Sequence, residues 1–277
     1  MKRIWFVLLA LGLTIALSKA VWAVDVKFSG EYYAAGIYVS KTSLSDNKGQ
    51  SAAFYFQRLR VKTDFAISPG LTLITRFDAL ERVWGATRTA AGTALAVDSA
   101  GTTAENENIA FDWAYINYKT PRGNFDIGAM NDGSTGTIFG NSYAPAFRIK
   151  YANPIDGFSL NLAYTKVKEG SYNAANSAAT YADADNDKYS VEGVYQWKSG
   201  KAGMQVSYYN YDNERPTSNR ARKYYLFTPY AIAKIGPVAL QAELNYATGD
   251  YYKYDNGTAN VDLENMTGWI DATAVFG

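Results

Sequence analysis

Arg58, Arg60, Lys62, Arg76 and Arg82 fall at alternating positions with two acids, Asp64 and Asp78, an excess of three bases on that face. Fixed charges spaced by twos can attract and orient ions in water, which requires no chemical step. Arg148 and Lys150 repeat the spacing further along. Other candidate chemistry is weaker. Asp183, Asp185 and Asp187 have the alternate-acid spacing of a calcium loop, but Lys188 stands at the glycine position and Val194 at the closing glutamate. Gly133, Gly136 and Gly140 do not match a phosphate-cradling fingerprint. Paired carboxylates occur without a partner set for acid–base work. Histidine and cysteine are absent, which excludes Ser-His and Cys-His nucleophiles, His-based metal sites and attached c-type haem. No enzyme, metal or cofactor is expected.

The elements that carry the charged row read as strands. In Phe54–Gly85, Arg58, Arg60, Lys62 and Asp64 alternate with Leu59, Val61 and Phe65. After the Ser68-Pro69-Gly70 turn, Arg76, Asp78 and Arg82 oppose Leu71, Leu73, Phe77, Ala79 and Val83, with Glu81 as the exception. From Val24 onward twelve such segments follow one another, and their connections alternate long and short. Every short one carries Gly, usually with Pro or Asp, whereas the longest, 86–107, is an aperiodic Ala/Thr/Gly/Asn tract. This predicts an all-β, antiparallel up-and-down meander rather than a Greek-key sandwich.

The chain opens with Met1-Lys2-Arg3, the apolar run Ile4–Leu17, and then Val21-Trp22-Ala23, which puts small residues at −3 and −1 of a cleavage after Ala23. Fourteen apolar residues fall short of the ~20 of a spanning helix, so residues 1–23 are expected to be a secretory signal and 24–277 the exported domain. Without Lys2, Arg3 and Lys19 the mature part has 24 bases against 26 acids, which suggests no nucleic-acid partner. With no disulfide available, an exported fold must be held by hydrogen-bonded ladders or a large core.

In an outer-membrane barrel the short turns lie at one end, long loops at the other, and strand faces alternate apolar-out and polar-in. Aromatic residues fit two girdles: Phe28, Phe125, Tyr151, Phe158 and Trp197 near the short turns, and Tyr38, Phe54, Trp84, Tyr164, Tyr189, Tyr208, Tyr246 and Trp269 near the long links. Turning Arg58, Arg60 and Arg76 toward lipid would cost on the order of 6–12 kcal/mol, comparable to a domain's whole stability. The charged row is therefore expected to face a wet lumen.

Together, the signal, the alternation, the girdles and the FYFQRLRV…SPGLTLITRFD hairpin resemble a Gram-negative outer-membrane general porin, over essentially the whole mature chain. The resemblance implies a homotrimeric transmembrane barrel, usually of sixteen strands, in contact with outer-membrane lipid and lipopolysaccharide. It also implies a third long loop folded into the lumen, here Asp132–Ala144, facing a basic wall. Asp132 would then supply the acid, and Arg58, Arg60, Arg76, Arg82 and Arg148 the bases, with Lys62, Asp64, Asp78 and Lys150 also lining the pore. This loop lacks the stronger acidic content of the family. The chain also ends on Phe276-Gly277 after twelve segments, whereas the family finishes on an aromatic residue. Both a chain cut short of sixteen strands and a complete twelve-stranded barrel remain open.

The expected function is passive diffusion of ions and small hydrophilic solutes, with a weak anion preference from the basic row. Glu31, Asp126, Glu192 and Glu243 on other inward faces could offset that preference. The alternatives are a non-transporting barrel, serving as adhesin or scaffold, and a substrate-specific channel in which lumen tyrosines such as Tyr33 and Tyr209 stack on solutes.

Overall fold

The computed structural model describes residues 25–40, 51–85, 109–131, 135–140, 145–170 and 184–274. Residues 1–23, and with them the expected signal, lie outside the described residues, as does the chain end from 275.

Twelve strands form one antiparallel sheet in strict chain order. They are β1 (Asp25–Val39), β2 (Ala52–Ser68), β3 (Leu71–Val83), β4 (Ile109–Thr120), β5 (Gly123–Asn131) and β6 (Pro145–Ile155), followed by β7 (Phe158–Lys168), β8 (Asn186–Trp197), β9 (Gly200–Tyr211), β10 (Arg220–Ile235), β11 (Val238–Tyr254) and β12 (Val261–Ala274). A single helical turn, α1 (Arg215–Ser218), sits between β9 and β10. The meander expected from the alternating connections is present, and β1 and β12 are the two edges of the sheet.

Each of the five connections at one end is a two-residue turn: Pro69-Gly70, Pro121-Arg122, Asp156-Gly157, Lys198-Ser199 and Gly236-Pro237. Asp156 and Gly157 both take positive φ, 34° and 78°. Positive φ at both central positions matches the right-handed twist of the flanking strands. The Pro121 turn is closed by Thr120, whose hydroxyl donates to the Gly123 carbonyl at 2.8 Å and accepts from the Arg122 N–H at 3.2 Å. Turns this short fix register, and register decides which side chains face which side.

The sheet is inverted relative to a water-soluble protein. Among the described residues four hydrophobic side chains are buried and sixteen polar or charged ones are. Buried Arg76, Asp78, Arg148, Thr165, Ser207 and Glu243 share the inner face, whereas Phe28, Phe147, Met266 and Ile270 stand out from the other, each about 70% exposed. Water on the outside would leave that apolar face unsatisfied. A bilayer solvates it, and backbone groups paired within the sheet need no water.

An outward row of rings runs along the long-loop side from β7 to β11. Tyr164, Tyr189, Tyr208, Tyr225, Phe227 and Tyr246 follow one another with centroids 4.9–6.4 Å apart. Two residues assigned to this girdle from sequence lie instead on the inner face. Trp269 is in register with Glu243, and Phe54 with Ile37 on the face that carries Glu31 and Tyr33.

Candidate functional site

The inner face of β1–β4 carries the charged row as an interlocked ladder. Arg60 grips Asp78 with two hydrogen bonds, from Nε and Nη2, at 2.7 and 2.6 Å. Its Nη2 also reaches Asp112 at 3.3 Å, and Arg76 Nη2 donates to the same carboxylate at 2.9 Å. The Arg76 guanidinium stacks 3.7 Å from the centroid of Trp113, a desolvated geometry that suits Arg far better than Lys. Arg58 lies between Glu31 at 3.8 Å and Glu81 at 3.9 Å, and Lys62 pairs with Asp64 at 3.2 Å. Bidentate and shared contacts of this kind fix side chains that would otherwise sample many rotamers in a wet lumen.

Two bulges change the charge count expected from simple alternation. In β3 the register with β2 slips between Ala79 and Arg82, and Leu80 takes a positive φ of 54°. The extra residue moves Glu81 to the inner face beside Arg58. Arg82 moves to the outer face, opposite Gln57, whose carbonyl accepts from Trp84 Nε1 at 2.7 Å and from the Tyr32 hydroxyl at 3.3 Å. Arg82 is thus buried on the outer, aromatic side, and its expected place in the pore wall is corrected by the bulge. In β4 the register passes from Arg76 opposite Trp113 to Phe77 opposite Phe111, skipping Asp112, so Asp112 and Trp113 both reach Arg76. With Glu31, Glu81 and Asp112 counted, the ladder holds Arg58, Arg60, Lys62 and Arg76 against five acids.

Arg148 and Lys150 lie on the same face of β6 but apart from that cluster. Buried Arg148 donates to Thr165 Oγ1 at 3.1 Å and to the Asn131 carbonyl at 2.9 Å. Lys150 is in register with Asp126, which accepts from Asn117 at 2.5 Å. Asp132 lies outside the described residues.

The third long connection contributes residues 135–140, and these meet the inner face of β9–β12. Glu243, 4% exposed, accepts from the Thr137 N–H at 2.7 Å, the Thr137 hydroxyl at 2.8 Å and Asn245 Nδ2 at 2.9 Å. Gln205 donates to Thr135 at 3.1 Å, and the Phe139 ring stacks on Trp269 with centroids 6.1 Å apart. Gly136, at φ 82°, and Gly140 both lie against the Glu243 carboxylate, where a Cβ would collide with it. Gly136 and Gly140 are thus explained by close approach rather than by phosphate binding, and Gly133 lies outside the described residues.

Two of the acids with alternate calcium-loop spacing are engaged with a lysine. Asp185 and Asp187 pair with Lys166 at 2.6 and 3.0 Å, and Tyr164 donates to Asp187 at 2.8 Å. Asp183 lies outside the described residues, and no group of three potential metal ligands occurs among those described.

Comparison with solved structures supports the architecture. The anion-selective porin of Comamonas acidovorans is similar at 14% identity and a TM-score of 0.54, covering 92% of this chain and 75% of its own. The chain has a porin-like outer-membrane β-barrel fold. Salmonella typhi OmpF in complex with daunomycin matches at 11% identity over 92% of this chain and 87% of its own, TM-score 0.42. Pseudomonas aeruginosa OccK8 (OprE) matches at 14% over 90% and 65%, TM-score 0.46. No protein-family model and no curated protein sequence matches the chain. In this porin-like fold, Glu81, Asp112, Trp113 and Trp269 are the inner-face residues that alternation alone misplaces or overlooks. The available signals were Glu81, the one acid out of phase with Arg76, Asp78 and Arg82, and the adjacent Asp112-Trp113 pair.

Proposed function

We propose that this chain forms a water-filled channel in the outer membrane through which ions and small hydrophilic solutes diffuse passively. The observation that carries this reading is the arrangement around Glu243: a buried carboxylate on the inner wall fastens residues 135–140 onto the lumen side of a sheet whose other face is apolar. An inward-folded segment narrows a passage, and fixed charges opposite it select by sign. Homotrimeric assembly and contact with lipopolysaccharide are the arrangement that the resemblance to general porins implies.

The anion preference anticipated from the basic row is weakened by Glu31, Glu81 and Asp112. Four bases among five acids support a channel of low charge selectivity, with ions passing between interlocked pairs. Purified protein added to a planar bilayer is expected to give stepwise ohmic currents with a reversal potential near zero in a salt gradient. A folded preparation that produces no steps refutes the channel reading.

A further inference from the structure

A cavity of about 200 Å3 lies between residues 135–140 and the inner faces of β8–β11. At about 30 Å3 per water it holds roughly seven waters, the scale of one small solute and not of an oligomer.

One wall is aromatic. Tyr209 is stacked on Tyr224 of β10, with centroids 4.6 Å apart and planes within 12°. Tyr211 meets Tyr209 at 5.6 Å and 83°, so two rings form a rigid corner that borders the cavity. Lys188 also lines the cavity, with its ammonium over the Tyr209 ring at 5.6 Å, so the lining carries one cation and, in Glu243, one carboxylate.

The facing side is amide and hydroxyl. Gln205 uses one amide hydrogen on Thr135 and one lone pair on Ser207. Asn245 uses one amide hydrogen on Glu243 and one lone pair on Thr228. A carboxamide has two N–H groups and two lone pairs, so each retains one donor and one acceptor, and Thr228 retains acceptor capacity.

The unspent capacity discriminates between solute classes. A carboxylate solute uses donors alone, and the one donor-only group in the lining, the Lys188 ammonium, is held over Tyr209 and offset by the Glu243 carboxylate. An ammonium solute uses acceptors alone. Glu243 already receives three hydrogen bonds of the roughly four a carboxylate accepts, so it has little left for a cationic group. Adjacent hydroxyls, each donor and acceptor at once, match two side chains that each offer one of both. The C–H face of a sugar ring packs against an aromatic wall.

On the channel reading given above, we propose that this cavity is a subsite for a neutral monosaccharide, entered from the lumen and bounded by Tyr211, Gln205, Thr228 and Asn245.

The test is ion current through the purified protein in a planar bilayer, titrated with D-glucose, with glycine as zwitterionic control and glycerol as a viscosity control. A saturable fall in current with glucose, absent with glycine and glycerol, is expected. Thr228→Val and Tyr211→Ala should each raise the half-saturating glucose concentration by about fivefold or more, the scale of one lost hydrogen bond or ring contact. A linear fall identical to that with glycerol overturns the sugar site, as does equal block by glycine. Both outcomes come from the unaltered protein, so neither depends on a variant folding. Absence of any current instead overturns the channel reading itself.

Discussion

Replacing Glu243 by alanine should release the segment that it holds. Thr137 gives two hydrogen bonds to this carboxylate, at 2.7 and 2.8 Å. Bonds to a charged acceptor contribute about 1.5–3 kcal/mol each, so the variant forfeits roughly 3–6 kcal/mol of attachment. The Phe139–Trp269 stack and the Gln205–Thr135 bond remain, together about 2 kcal/mol. A loss of 3 kcal/mol already raises the released fraction more than a hundredfold, since 1.4 kcal/mol is tenfold. Single-channel records of Glu243→Ala should therefore show far more frequent excursions to a larger, noisier conductance level. Glu243→Gln keeps an acceptor without the charge and should fall between the two, because neutral hydrogen bonds are about half as strong. If Glu243→Ala, shown to be folded by its strand circular dichroism, conducts with the amplitude and noise of the unaltered protein, residues 135–140 do not narrow the passage.

Three further outcomes follow from the same geometry. Because cysteine is absent, single-cysteine variants report faces cleanly: Glu81→Cys should react with a charged, membrane-impermeant thiol reagent that blocks current, whereas Arg82→Cys should not, and equal labelling would deny the bulge at Leu80. Asp112→Asn removes the acid shared by Arg60 and Arg76 and should shift the reversal potential toward anions. Arg58→Ala, Arg60→Ala and Arg76→Ala combined should shift it toward cations, and an unchanged potential in both would separate the ladder from the conducting path. Outside the strands, burial raises the Glu214 carboxyl, but hydrogen bonding by Arg220 and the charge of Arg222 outweigh it and hold the group below the usual carboxylate range. A depressed folded value contributes stability present above about pH 4.3, the unfolded reference, and lost as pH falls through the folded value. Protease cleavage near α1 should accordingly rise in acid, and Glu214→Gln should show that susceptibility already at neutral pH.

The strands and their order were legible because two-residue turns and period-two alternation are local signals. Ser68-Pro69-Gly70 and Gly236-Pro237 announce reversals without knowledge of any partner strand. What could not be read was any feature that depends on a neighbour. A bulge flips every later side chain on its strand, yet Leu80 has none of the Gly or Asn character that usually marks positive φ. Hence Arg82 and Glu81 exchange faces relative to the expected pattern. Glu243 was recognisable as inward-facing, but its partner Thr137 is 106 residues away, and nothing local in β11 points to it. Trp269 looked like a girdle residue because it is aromatic and near a strand end. Its register with Glu243 and the arrival of Phe139 give it a different neighbourhood.

The outward row of rings from Tyr164 to Tyr246 acts as a waterline. Sliding the sheet along the membrane normal by one residue, about 3.4 Å of strand, would carry several tyrosine hydroxyls together out of the interface into hydrocarbon or lift their rings into water. The protein therefore floats at one height. Glu243 lies three residues along β11 from Tyr246, about 10 Å of strand, so the depth at which residues 135–140 meet the inner wall is levelled by side chains on the opposite surface of the sheet.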